Sequence, residues 1–203
     1  MTSESSGVLF SSVLLTRSAL TDGRISQLAA WGKRLMGIGV VKGTEGNLSY
    51  RSSLGFIITG TNVALDDING ETLAEITGVV YGLHRPSVYV KGMVMPSRET
   101  LLHTQIYEAR EDIKVIFHVH DNEVMAQAEK LGIPVTAVEQ PAGSQALAQE
   151  AAKLLKENKD TGYFILKNHG VVALGATMDE AGKLIEEMRA KVKQKKADKQ
   201  KKK

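Results

Sequence analysis

Apolar positions along the chain fall into short runs whose internal spacing switches between two residues and nearly four. Polar turns carrying Gly, Asn or Asp separate the runs. After the turn formers Thr21–Gly23, the segment Arg24–Gly37 sets Ile25, Leu28, Leu35 and Met36 on one face of a predicted helix. GTEGNLSYR reads as a glycine-bearing turn entering a strand. Gly55–Thr59 reads as a short buried strand that ends in the polar loop Gly60–Asn62, and Leu65–Ile68 as a helical turn. Val79–Arg85 and Val88–Met95 alternate as strands do. Ser97 is a natural N-cap for a helix running through Arg110, with Leu101, Leu102, Ile106 and Tyr107 as its apolar face. Beyond it the pattern predicts a strand at Ile113–His120, a helix at Asp121–Leu131, a short strand at Ile133–Val138 and a helix at Ser144–Asn158. Strands at Tyr163–Leu166 and Val171–Leu174 and a helix at Met178–Val192 complete the series. Helices and strands are interspersed without internal repeat, which predicts one α/β or α+β domain.

Length and composition agree with a single soluble unit. The 203 residues are enough for one sizeable core, and 42% hydrophobic with 24% charged residues is ordinary for a globular protein. No apolar stretch reaches the roughly 20 residues of a membrane span. Cysteine is absent, so disulfides and thiolate metal sites are excluded, as a reducing cytoplasm permits. The net charge of +3 misrepresents the body, because Lys191–Lys203 holds eight lysines and one aspartate. Elsewhere 18 basic residues face 22 acidic ones, so an acidic domain of residues 21–192 precedes a lysine-rich tail, 193–203. The tail is expected to be disordered and solubilising; binding to RNA or an anionic surface is the less favoured reading. Met1–Leu20 mixes serines with the apolar Val8–Leu15 and lacks the basic start of a signal peptide, so it reads as an arm that packs on the body or on a neighbouring subunit.

Three histidines and one glutamate carry the candidate chemistry. In IFHVHD, strand alternation projects His118 and His120 to one side, about 7 Å apart along the backbone. His169 in LKNHGV stands just past the apolar run Tyr163–Leu166, where it can meet them at a strand end. Imidazoles combined with a carboxylate suit Zn²⁺ or a neighbouring transition ion. Glu99 in PSRET can complete the set, or can simply complement a helix dipole. His84 and His103 read as structural or solvent-facing.

The order of five motifs resembles the class II aldolase/adducin family over roughly four-fifths of the chain, about Thr21–Val192. They are TEGNLSYR (Thr44–Arg51), IITGTN (Ile57–Asn62), MPSRE (Met95–Glu99), HVH and KNHG (Lys167–Gly170). The resemblance implies a three-layer sandwich, a central and largely antiparallel sheet with helices on both faces, assembled as a cyclic tetramer. It implies one divalent ion, Zn²⁺ or a similar metal, per subunit on His118, His120, His169 and Glu99. It implies retro-aldol cleavage of a small phosphorylated ketose through a metal-stabilised enediolate, with Glu99 also moving protons. Phosphate binding falls to Gly46, Asn47, Thr61 and Ser97. Asn62, where Gly is frequent, and Arg98, where a second Ser is frequent, belong to the same pocket. Glu139 stands where fuculose-phosphate-type aldolases carry a Tyr that serves a neighbour's site, and where related dehydratases of methylthioribulose phosphate use Glu. Dehydration, or decarboxylation of a sugar-acid phosphate, is therefore the alternative on the same metal. A non-catalytic, adducin-like assembly module fits less well, because a scaffold has no need of three convergent histidines and an acid.

Overall fold

The computed structural model describes residues 9–82 and 85–200, apart from the side chains of 196–200. Its elements are β1 (Ser11–Thr16), α1 (Ile25–Gly37), β2 (Asn47–Arg51), β3 (Phe56–Thr59), β4 (Leu73–Val80), β5 (Ser87–Gly92), α2 (Thr100–Ala109) and β6 (Val115–Val119). The chain continues through α3 (Asn122–Met125), α4 (Ala128–Leu131), α5 (Gln145–Glu157), β7 (Tyr163–Leu166), β8 (Gly170–Gly175) and α6 (Met178–Gln200). The strands form one sheet in the order β1-β5-β4-β3-β2-β6-β8-β7. Every pairing is antiparallel except that of β1 with β5.

Both faces of this sheet are covered, and β6 shows how. Val115, Phe117 and Val119 point into a core shared with Leu28, Trp31 and Leu35 of α1 and Ile185 of α6. Ile116 points the other way, into a core with Leu101, Leu102 and Ile106 of α2 and Leu147 and Leu155 of α5. A period of two thus sends His118 to the α2 side. The three-layer, largely antiparallel sandwich is the architecture that the motif resemblance implied.

Several boundaries differ from the sequence reading, each for a local reason. β4 begins at Leu73, six residues before the strand expected at Val79–Arg85. Leu73 joins one core and Ala74 and Ile76 the other, so burial on both faces erases the alternation. His84 lies outside the described residues. α2 starts at Thr100, not Ser97. The preceding residues are tied to the end of β3, since the Ser97 N–H donates to Thr59 O (3.0 Å) and Thr61 N–H to Met95 O (2.9 Å). Asp121–Leu131 is two one-turn helices, the first capped by Asp121, whose Oδ1 accepts from the Glu123 and Val124 N–H groups. Ile133–Val138 is not a strand. It makes an isolated parallel bridge from Val135 to Ile165, flanked by Pro134, which has no N–H to give. α6 continues to Gln200 rather than closing at Val192, so the part of the 193–203 tail that is described is helical and not disordered; apart from Asp198 its lysine, alanine and glutamine residues favour helix. Within Met1–Leu20, the described part supplies the edge strand β1 and the buried Phe10.

α6 lies against α1 through a glycine. A Cβ on Gly182 would stand 2.3 Å from the ring of Trp31, the chain's single tryptophan, whose Nε1–H donates to Asp179 Oδ1 (2.8 Å). Gly182→Ala gains about 1 kcal/mol of helix propensity but overpacks this contact. We expect a net stability loss of up to about 2 kcal/mol, an overpacking cost of about 1–3 kcal/mol less the propensity gain, in urea unfolding followed by Trp31 fluorescence. A more stable variant would show that the ring has room to retreat.

Candidate metal centre

Three neighbouring pieces of backbone bring the four candidate ligands together. His118 is the fourth residue of β6 and His120 follows that strand directly. β8 pairs with β6, His118 opposite Val172 and Val119 opposite Val171, which sets the preceding turn beside His120. That turn carries His169, whose N–H donates to Leu166 O (3.0 Å), and Asn168 in the left-handed region at φ +56°. Gly170 is required here by space: a Cβ would lie 2.7 Å from His118 Cε1 and 2.9 Å from His120 Cδ2. Glu99, just before α2, reaches the same point from the other side of β2.

The donor atoms converge tightly. His118 Nε2 is 3.1 Å from His120 Nε2 and 3.0 Å from Glu99 Oε2, and Glu99 Oε1 is 2.9 Å from His169 Nε2. One ligand atom from each residue fits within a 4.8 Å spread. His118 Nδ1–H donates to Val171 O (2.9 Å), which directs the lone pair of the neutral ring at Nε2 toward the other three. The buried Glu99 Oε1 has no aligned hydrogen bond despite its short contact with His169. Several lone pairs facing one another repel unless positive charge lies among them. A proton on His118 or a cation meets that need, and the set of three imidazoles and one carboxylate fits a four-coordinate divalent ion.

Burial and mutual charge set the ionisation. For Glu99, burial acts to raise the carboxyl, but the close approach of the His118 and His169 imidazoles outweighs it and holds the group well below its usual range. Burial likewise acts to lower His118, and Glu99 overcomes it, so the imidazole is raised. Burial, with His118 and His169, pushes His120 down to about 4, leaving it neutral at ordinary pH.

A cavity of about 190 Å³ opens on this cluster. All six candidate phosphate residues line it, Gly46, Asn47, Thr61, Asn62, Ser97 and Arg98, together with Glu99, His120 and His169. Asn62 adopts φ +58°, a left-handed conformation that glycine favours and asparagine tolerates. Gly46, at φ +76°, lies so near His118 O that a Cβ would come within 2.7 Å. Glu139 lines an adjoining cavity with the same chain's His120 and His169, its Oε2 accepting from Asn168 Nδ2 (2.7 Å).

Glu45 and His103 are polar residues of the site that the sequence did not point to. Glu45 lines the cavity, 4.0 Å from His120 Nδ1. His103, read as structural or solvent-facing, is fully buried, with Nε2 2.5 Å from Asn47 Oδ1 and Nδ1 2.6 Å from Ser49 Oγ. Burial, reinforced by His118, pushes its imidazole down to about 3. The i, i+4 spacing of Glu99 and His103 on one helical stripe was the available signal.

A sheet head carrying three imidazoles and a carboxylate beside a polar cavity has the composition of a divalent-metal enzyme site. The chain belongs to the class II aldolase and adducin family, whose model, the Class II Aldolase and Adducin N-terminal domain, matches residues 26–194. Among curated relatives, a methylthioribulose-1-phosphate dehydratase of Bacillus pumilus is 29% identical over 171 residues, covering 71% of this chain and 78% of that one. An L-fuculose phosphate aldolase of Methanocaldococcus jannaschii is 30% identical over 155 residues, covering 70% and 78%. A solved L-fuculose 1-phosphate aldolase superposes with a TM-score of 0.71 at 24% identity, over 90% of this chain and 89% of that chain, which shows the shared fold. Among the described residues, no helix is long and apolar enough to cross a membrane.

Metal analysis should find about one divalent ion per chain, with His118→Ala abolishing it and Gly170→Ala weakening it while the sheet persists. The pH dependence has a definite sign. The depressed Glu99 stabilises the fold above its unfolded value near 4.5, and this is lost as pH falls through the folded value. The raised His118 stabilises below its unfolded value near 6.5, and this is lost as pH rises through the folded value. A cation must displace the His118 proton, so the Tm increase caused by Zn²⁺ should be larger at about pH 8 than at about pH 6. An increase independent of pH would remove His118 from the ligand set.

Proposed function

We propose that this protein is a zinc-dependent class II aldolase, a carbon–carbon lyase that cleaves a small phosphorylated ketose by a retro-aldol reaction. Cytoplasmic location and a cyclic homotetramer belong to the same reading. The observation that carries it is the convergence of His118, His120, His169 and Glu99 on a cavity lined by the six anion-binding candidates. Exposed Val13, Leu14 and Leu15 on the edge strand β1 support assembly, since water-exposed apolar side chains there gain by being covered.

Zn²⁺, or another divalent transition ion held by the three histidines, would supply Lewis acidity toward a carbonyl and its neighbouring hydroxyl. The chain's own residues do the rest. Asn47, Thr61 and Ser97 offer amide and hydroxyl donors to a phosphate, the backbone at Gly46 and Asn62 shapes the turns around it, and Arg98 adds charge. Glu139, on the open side, takes the proton of the hydroxyl on the departing carbon. The carbon–carbon electron pair passes to the retained fragment as the aldehyde leaves, and Glu99, ionised at rest, takes a proton from solvent water and passes it to that fragment's carbon. The position of Glu139 beside its own chain's His120 and His169 also favours a second reading, dehydration. There a carboxylate removes a proton next to the carbonyl and the adjacent hydroxyl departs as water.

Incubating the metal-loaded protein with ketose 1-phosphates and sugar-acid phosphates, and identifying products by mass, separates these reactions. An aldehyde with a shorter phosphate supports the aldolase, loss of one water the dehydratase, and no turnover of any substrate refutes both. Glu99→Gln should lower turnover by about 10²-fold or more with substrate still bound. Thr61→Ala should mainly raise KM, and inorganic phosphate should compete with substrate. Failure of phosphate to compete would remove the phosphate pocket.

A further inference from the structure

β2 turns an unusually polar face toward α2. Its period of two puts Asn47, Ser49 and Arg51 on that side, while Leu48 and Tyr50 enter the opposite core. α2 answers with a stripe of residues four apart, Glu99, His103 and Tyr107. These side chains form one continuous chain of contacts. Tyr107 OH lies 2.8 Å from Ser49 Oγ, Ser49 Oγ 2.6 Å from His103 Nδ1, His103 Nε2 2.5 Å from Asn47 Oδ1, and Asn47 Nδ2 2.8 Å from Glu99 Oε2. Ser49 and His103 are fully buried, and Asn47 and Tyr107 are 4% exposed, so the chain of contacts runs almost wholly inside the protein.

The donor and acceptor inventory leaves one direction for this chain. A carboxylate only accepts, so Asn47 must present its amide nitrogen to Glu99. Its oxygen then faces His103, whose Nε2 must carry the hydrogen. In the neutral ring Nδ1 must therefore accept, so Ser49 donates to it and accepts in turn from Tyr107. Each hydrogen points toward Glu99. Arg51 anchors the far end, its guanidinium 4.6 Å over the Tyr107 ring and donating to Tyr107 O (2.5 Å).

We propose that His103 is a positioning residue of the metal centre, holding the Asn47 amide in the orientation that donates to Glu99 and so fixing the carboxylate where the three histidines converge. This rests on the reading of Glu99 as a working group of that centre. Without the His103 hydrogen, the Asn47 amide is free to turn over and bring oxygen against oxygen. A second role follows for the same contact. Asn47 also lines the cavity, so its orientation decides whether a substrate anion meets a donor or an acceptor there.

The test uses the full chain. Long-range ¹H–¹⁵N correlation on histidine-labelled, metal-free protein should show His103 as the Nε2–H tautomer. His103→Leu and His103→Gln are compared with wild type for Zn²⁺ affinity by chelator competition, and for kcat and KM on whichever phosphorylated substrate wild type turns over. Loss of a hydrogen-bond partner behind a ligating group costs about 10–100-fold in affinity or activity. We expect that loss in H103L, in Zn²⁺ affinity and kcat, with substantial recovery in H103Q, whose side-chain amide can still donate to Asn47. A folded H103L with wild-type Zn²⁺ affinity overturns the proposal, as does an H103Q no better than H103L, or an Nδ1–H tautomer. Should H103L not fold, the wild-type tautomer and the H103Q affinity decide. If wild type itself takes up no Zn²⁺, the metal reading fails, and the tautomer still tests the chain independently.

Discussion

A buried carboxylate facing imidazoles is the constraint around which this molecule is arranged. Glu99 is 6% exposed and His118 not at all, and such charge is tolerated in a protein interior only when paired and hydrogen-bonded. The surrounding fold supplies those conditions. β6 and β8 bring His118, His120 and His169 into register, Val171 O fixes one ring, and the polar face of β2 supports Glu99 from behind. Replacing any of these partners would leave a charge or a lone pair stranded in low dielectric. Conformational specificity and chemistry therefore rest on the same few atoms.

The geometry also separates two tasks within one small space. The inner wall, Glu99 with His118, is buried and set by hydrogen bonds, with Glu99 at the edge of the cavity. The outer wall, with Glu139, Arg98 and Asn62, borders open cavities and belongs to turns. Turns tolerate substitution better than paired strands. Relatives of this chain include both a dehydratase and aldolases, as expected if the inner wall serves several reactions and the outer wall selects among them.

Much of the site was legible because its signal was local. The HVH triplet needs only the period of a strand, and KNHG only the end of one. The six anion-binding candidates were reached through motif resemblance, and they do line one cavity. Residues defined by partners far along the chain were harder to read. His103 looked like any polar residue on a helix, because Ser49 and Asn47 stand more than fifty positions away. The early start of β4 was hidden by burial on both faces, and the late start of α2 by backbone bonds to the end of β3. Sequence periodicity reports how an element meets water. It does not report which distant strand holds its end.

The three imidazoles are unequally open to solvent. His120 has 27% of its side chain open to solvent and His169 11%, whereas His118 has none. His120 and His169 are thus the rings a cation would meet first from solvent, and His118 with Glu99 the last, so a bound ion would be shielded from water on its inner side by groups that are themselves almost wholly buried.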